Sequence, residues 1–142
     1  MPVAQLNLVR GAFGDDAIGE MLIEISHFYA RTLYPDVDVA PIERVRVMVT
    51  LIEPQHWAAG GRLASEGGAT APYFSCLVLT GRTEEQHRRL IEGFTDIIAR
   101  NLECDRLSVR GQVIPIAPEN WGIGGIPASV VRKAEIAARA GL

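Results

Sequence analysis

The sequence predicts an α+β fold of two tandem β-α-β units, forming a four-stranded mixed sheet with two helices on one face. Three observations predict it: landmarks recur in register in the two halves, each half alternates a strand period with a helix period, and right-handed crossovers put both helices on the same side. The first half runs Pro2, an alternating strand, Gly11, an amphipathic helix, Arg46 in a strand, Trp57, then Gly60-Gly61. The second runs Pro72, a strand, Gly81, a helix, Arg110 in a strand, Trp121, then Gly124-Gly125. Pro to Gly is nine residues in both halves, and Arg to Trp is eleven in both. The units cover about residues 2–69 and 72–142 and read as one domain, because a chain of this length supports one core of ordinary size rather than two.

Taken in order, Val3 to Val9 is a short apolar-rich stretch ended by Gly11, which suits a strand. Ile18, Met21, Leu22, Ile25, Phe28, Tyr29 and Leu33 then keep the spacing of one helical face. Gly11 to Arg46 spans 35 residues where Gly81 to Arg110 spans 29. The six extra residues are expected in the turn-rich stretch from Tyr34-Pro35-Asp36 to Pro41, since surface loops absorb insertions. A strand follows around Val45-Arg46-Val47. In the second half Tyr73 to Leu79 is the matching strand, and Leu90, Ile91, Phe94, Ile97 and Ile98 mark the matching helix. Thr83-Glu84-Glu85-Gln86 is a capping-box pattern that sets the helix start near Thr83. The last strand follows Val109-Arg110. The tail from Ala128 to Ala140 is helix-prone and is expected to clasp a neighbour or the sheet edge. With both helices on one side, the other sheet face is left bare; read as apolar, it calls for cover by further copies of the chain.

Composition narrows the function classes. At 48% hydrophobic and 22% charged the chain is globular in character. Its net charge is -3 and its 14 Lys and Arg are scattered, so no basic face is offered to nucleic acid. No apolar run is long enough to span a bilayer and the start MPVAQLNLVRG lacks signal-peptide character, so a cytoplasmic location is expected. Cys76 and Cys104 are far apart and without ligand spacing, which makes them reduced structural thiols. His27, His56 and His87 share no metal-binding spacing, and neither metal nor cofactor is expected. Gly122-Ile123-Gly124-Gly125 lacks the Lys-Ser/Thr of a phosphate loop and reads as a tight turn.

The stretch Glu119-Asn120-Trp121-Gly122-Ile123-Gly124-Gly125-Ile126-Pro127-Ala128-Ser129 resembles the 4-oxalocrotonate tautomerase family of the tautomerase superfamily, whose short chains end in a similar Phe-Gly-Ile-Gly-Gly run followed by Ala-Ser. Val45-Arg46-Val47, Trp57, Gly60-Gly61 and Leu63-Ala64-Ser65 repeat the pattern in the first half, with Ala58-Ala59 in place of Gly-Ile. The start Met-Pro-Val-Ala-Gln-Leu is similar to the family's beginning. The resemblance thus covers nearly the whole chain twice over, and it implies a fused tandem of two short subunits that assembles as a homotrimer.

The resemblance also implies a catalytic N-terminal proline, here Pro2 after removal of Met1. A secondary amine in an apolar pocket beside arginines is disfavoured in its protonated form, which brings its proton transfers toward neutral pH. Pro72 occupies the same place in the second unit, but its nitrogen is locked in a peptide bond, so one site per chain is expected. Two arginine positions are implied, one after the strand-ending Gly and one in the Val-Arg strand. The second unit has both, Arg82 and Arg110, whereas the first has Arg46 but Ala12 at the other position, with Arg10 two residues earlier. Guanidinium groups bind carboxylates with paired hydrogen bonds and stabilise an enolate oxygen. Arg82 is therefore expected to act with Pro2, and Arg46 or Arg110 to complete substrate binding. Trp57 and Trp121 stand for the aromatic wall of the pocket, and His27 is held in reserve because some fused relatives place a histidine there.

The activity so implied is proton transfer on a small 2-oxo or 2-hydroxy unsaturated carboxylic acid. Hydratase, decarboxylase and dehalogenase chemistries of the same superfamily are alternatives, as is a trimeric binding module without activity. Dehalogenating relatives add a carboxylate two residues past the pocket aromatic, where this chain has Ala59 and Ile123. Fused members of that type carry a further arginine three residues before the position of Arg82, where this chain has Leu79.

Overall fold

In the computed structural model, which describes residues 2–141, the strand and helix periods settle into the expected elements. Met1, whose removal the proline reading requires, lies outside the described residues. The first unit is β1 (Val3–Val9), α1 (Asp15–Leu33) and β2 (Arg46–Ile52), followed by a hairpin of β3 (Ala58–Ala59) and β4 (Arg62–Leu63). The second is β5 (Tyr73–Leu79), α2 (Glu84–Leu102) and β6 (Arg110–Ile116), followed by a hairpin of β7 (Gly122–Ile123) and β8 (Ile126–Pro127). The tail forms α3 (Ala128–Val131) and α4 (Lys133–Arg139).

Helix α2 begins where the capping box places it. Thr83 Oγ1 accepts from the Gln86 N–H at 3.1 Å, and Gln86 Oε1 accepts from the Thr83 N–H at 3.1 Å. Helix α1 has no such side-chain cap at Gly14 and instead carries Asp15 and Asp16 in its first turn, against the positive end of the helix dipole. The paired glycines close the two hairpins. Gly60 and Gly61 have φ of 60° and 77°, and Gly124 and Gly125 have 57° and 83°, the left-handed pair that a two-residue hairpin turn requires.

The six-residue length difference is divided between two places. Segment 34–45, between α1 and β2, is five residues longer than segment 103–109, between α2 and β6. The sixth residue precedes α1, because Gly11 is separated from Asp15 by one residue more than Gly81 is from Glu84. The expectation of a single insertion site is corrected accordingly.

The strand order is β2-β1-β5-β6, with β1 parallel to β2, β5 parallel to β6, and β1 antiparallel to β5. Ala4, Leu6 and Leu8 of β1 and Phe74, Cys76 and Val78 of β5 are fully buried beneath Met21, Ile25 and Tyr29 of α1 and Leu90, Phe94 and Ile98 of α2. Phe94 sits at the centre, its ring 5.1 Å from that of Tyr29 in an edge-to-face arrangement and 5.3 Å from that of Phe74. Burial raises the pKa values of the Cys76 thiol and the Tyr29 phenol, which keeps both neutral.

Because side chains alternate along a strand, the residues between the buried ones face away from the helices. Register brings Thr50, Asn7 and Tyr73 together on that side, and Met48, Gln5, Ser75 and Gln112 in the next row. Gln112 donates to the Tyr73 hydroxyl. The face expected to be apolar is therefore mixed: these polar rows adjoin an apolar row of Val3, Leu77 and Ile114.

The Tyr29 hydroxyl lies within hydrogen-bonding distance of two backbone carbonyls, Val3 at 3.1 Å and Leu77, which face each other across the β1/β5 seam. Removing it by Tyr29→Phe leaves those buried acceptors short of a donor, and the expected cost is about 1–2 kcal/mol. Thermal unfolding of the variant should fall by several degrees, and an unchanged midpoint would show that the seam does not use this hydroxyl.

Candidate active site

The antiparallel seam decides what surrounds Pro2. Val3 pairs with Leu77, so the residue before Val3 sits near the end of β5 and the turn that leads into α2. Pro2 is fully buried, and its carbonyl accepts the Arg46 backbone N–H at 3.0 Å, which fixes the first residue of β1 against β2. Pro72 is held in the same manner, its carbonyl accepting the Arg110 N–H at 3.2 Å.

A small cavity of about 10 Å³ lies against Pro2, lined by Leu33, Tyr34, Leu79, Arg82, Arg132, Glu135 and Arg139. It has room for about one water molecule. Beside it a groove of about 790 Å³ opens between segment 34–45 and α4, and Leu33, Tyr34, Arg82, Glu135 and Arg139 belong to both. Pro2 of the first repeat and Arg82 of the second are thus brought together within one chain.

The other residues singled out from the sequence stand elsewhere. Arg46 and Arg110 are exposed, and each guanidinium turns back on its own backbone, Arg46 to the carbonyls of Glu43 and Val45 and Arg110 to those of Leu107 and Val109. Trp57 and Trp121 sit half-buried at the feet of the two hairpins, where their carbonyls accept from Ala64 at 2.8 Å and Ala128 at 2.7 Å. None of these four lines the cavity. Arg10 pairs with Glu53, and His27 is exposed on α1 away from it. Ala59 and Ile123 are in the hairpins, whereas Leu79 forms part of the cavity wall.

Arg82 is held firmly without a carboxylate. Its Nη1 donates to the Leu33 carbonyl, its guanidinium carbon lies 5.0 Å from the centre of the Tyr34 ring, and its Nε is buried with no hydrogen-bond partner. Burial first and the charge of Arg139 second pull its pKa down to about 10, with Tyr34 acting in the opposite sense. The group stays cationic at neutral pH. An orphaned buried N–H of this kind costs free energy until an acceptor arrives.

The cavity roof was not singled out from the sequence. Helix α4 folds back over its own chain, where the tail was expected to clasp a neighbour or the sheet edge. Arg132, Glu135 and Arg139 fall at i, i+3 and i+7, one stripe of a helix, and that stripe lines the cavity. Glu135 accepts from Arg44 Nη1 at 3.1 Å and Nη2 at 3.0 Å, a bidentate clasp between α4 and segment 34–45. The i, i+3, i+7 spacing was the available signal, but a short polar helix gives no indication of what it folds against.

Among the described residues no group of three His, Cys, Asp or Glu is arranged to hold a metal, and no helix is long and apolar enough to cross a membrane. No family model matches the chain. A 66-residue stretch, 46% of the chain, is 38% identical to 2-hydroxymuconate tautomerase of Pseudomonas putida and covers 95% of that protein. The chain belongs to the tautomerase superfamily. A 67-residue match to 2-hydroxymuconate tautomerase of Pseudomonas fluorescens, at 40% identity, likewise takes in 95% of the relative and under half of this chain. Whole-chain likeness is to a tandem tautomerase: native fused 4-OT superposes with a TM-score of 0.82 at 27% identity, over 92% of this chain and 98% of its own. A member of the cis-3-chloroacrylic acid dehalogenase family shares the fold, with a TM-score of 0.69 at 21% identity over 99% of both chains. This chain is thus a tandem 4-OT-like member of the tautomerase superfamily.

The Arg44 pair holds the Glu135 carboxyl below the usual carboxylate range. A depressed folded-state pKa means that the contribution is complete at neutral pH and is lost as pH falls through the carboxylate range. The amide resonances of 133–139 should therefore keep their positions from pH 7 to about 5 and shift together below it. Glu135→Gln should show the shifted positions at pH 7. Resonances that ignore both changes would show that the clasp does not hold α4.

Proposed function

We propose that the protein is a proline-based tautomerase that moves a proton on a small 2-oxo or 2-hydroxy unsaturated carboxylic acid. The observation that carries this reading is the shared cavity of Pro2 and Arg82, one from each repeat. Freed of Met1, the Pro2 nitrogen is a secondary amine in a nearly dry cavity. The positive charge of Arg82 beside it disfavours a second positive charge on that amine. The amine removes a proton from the hydroxyl or from carbon and returns it at the other end of the conjugated system. Arg82 orients the carboxylate and stabilises the oxygen that gains charge as the double bonds shift.

Leu79 supports this reading over dehalogenation. It occupies the cavity wall at the place where fused dehalogenating relatives have a second arginine, and an alkyl side chain supplies no such charge. Hydratase chemistry is less favoured, because Glu135, the carboxylate of the cavity, is engaged by Arg44 rather than free to activate water; decarboxylase chemistry stays as the alternative.

A homotrimer is part of the proposal, in keeping with solved relatives described as fused 4-OT trimers, one of which superposes with a TM-score of 0.79 at 22% identity. In that assembly Arg46 or Arg110, with Trp57 or Trp121, would reach a neighbour's site. Sedimentation equilibrium should give three times the chain mass, and a monomer at micromolar concentration would remove this route. A cytoplasmic site of action completes the proposal, consistent with two unpaired cysteines.

Ketonisation of 2-hydroxymuconate should be readily measured for protein whose intact mass shows loss of Met1. Pro2→Ala should abolish it, and Arg82→Ala should lower kcat/KM by about 10²–10³. A solved relative was crystallised after inactivation by 2-oxo-3-pentynoate. The same reagent should add one equivalent to this protein at Pro2. Turnover that survives Pro2→Ala would rule out the proline mechanism.

A further inference from the structure

The cavity beside Pro2 has an excess of positive charge that the proposed chemistry does not use. Three guanidinium side chains line it, Arg82, Arg132 and Arg139, with Glu135 the only carboxylate among the lining residues. Glu135 lies one helical turn from Arg132, the N-cap residue of α4, and from Arg139 at its end, within reach of both, yet both its oxygens are taken by Arg44. Neither Arg132 nor Arg139 forms an ion pair among the described residues. Asp36 lines only the outer groove and is exposed there. Arg82 adds its buried, unpartnered Nε. Like charges gathered around so small a space repel one another, and an anion relieves them.

We propose that Arg132, at the N-cap of α4, and Arg139, at its last turn, are substrate-binding residues that act with Arg82, so that each chain's own C-terminal segment supplies guanidinium groups for the distal carboxylate of a dianionic substrate. The proposal rests on Pro2 as the reacting group. The distal carboxylate sits under α4 while the proximal one faces Arg82, and the two ends of the molecule are thereby told apart. Admission requires α4 to lift, because the cavity as it stands holds about one water. The Arg44–Glu135 clasp is the tie that α4 must release, a bidentate pair whose carboxylate end is 40% exposed and open to water.

Two unreactive six-carbon dienes of the same double-bond geometry separate the second carboxylate from everything else: trans,trans-muconate has two carboxylates and sorbate has one. Titration calorimetry on the full chain should show muconate binding more tightly than sorbate. Arg132→Gln/Arg139→Gln should weaken muconate at least about tenfold and sorbate much less. Lys133→Gln removes one positive charge from the exposed side of the same helix, as Arg132→Gln alone does, and controls for net charge against that single variant. Restoring Arg139 in the double variant should recover part of the gap. In 2-hydroxymuconate turnover the double variant should raise KM by more than it lowers kcat. A muconate-to-sorbate ratio unchanged in the double variant, or changed equally by Lys133→Gln, would overturn the proposal. Labelling of Pro2 by 2-oxo-3-pentynoate, a monoacid, reads the proline mechanism separately, so failure of one is not mistaken for failure of the other.

Discussion

The antiparallel pairing of β1 with β5 is the contact on which the rest of the molecule depends. It is the only seam of the four-stranded sheet that joins one repeat to the other; both other strand pairs are internal to a repeat. Because the strands run in opposite directions, the start of β1 meets the end of β5. Pro2 is thereby set beside Leu79 and Arg82. A parallel seam would have placed Pro2 beside Pro72 and left the arginine about a strand length away, some 20 Å. The site is thus a product of strand polarity, and Tyr29, reaching both carbonyls of the seam from α1, ties it to the core.

Packing above the seam explains why the arrangement is rigid where it must be. Tyr29, Phe74 and Phe94 come from α1, β5 and α2, so one aromatic cluster links both repeats through the helical layer as the seam links them through the sheet. Pro2 rests on that fixed base. The roof differs in kind: α4 has no fully buried residue and is joined to segment 34–45 by an ion pair at the surface. On the proposed function, a packed floor with a separately held roof is the combination that would admit a small acid to the cavity and present it to the Pro2 amine.

How much was legible in the sequence follows from which forces act locally. Strands Val3–Val9 and Tyr73–Leu79 and the start of α2 are written in alternation and in capping chemistry, which depend on near neighbours. The pairing of Pro2 with Arg82 was reached through family resemblance to two motifs 80 residues apart in the chain. No period or spacing encodes that proximity; it needs the seam. The make-up of the open sheet face and the position of the tail each need more than local pattern. Whether the open sheet face is apolar depends on which of two alternating sets faces the helices, and Gln5, Asn7, Ser75 and Gln112 all fall on the outer set. Where the tail lies depends on Arg44, which emerges from the longer segment 34–45 and has no special mark in the sequence.

That longer segment also accounts for the asymmetry between two otherwise matched units. Both prolines are held by the same backbone bond, from Arg46 to Pro2 and from Arg110 to Pro72. Yet only the first has a nitrogen that proteolytic processing can free, and only its surroundings contain Arg82, Tyr34 and the folded-back α4. Around the Pro72 end, Ala12 stands where an arginine would be needed, and segment 103–109 is too short to provide an Arg44-like clasp. In a chain of net charge -3, three guanidinium groups against one carboxylate at the Pro2 cavity are the feature on which the proposed anion binding rests. Pro2 and the three arginines are gathered at the same end.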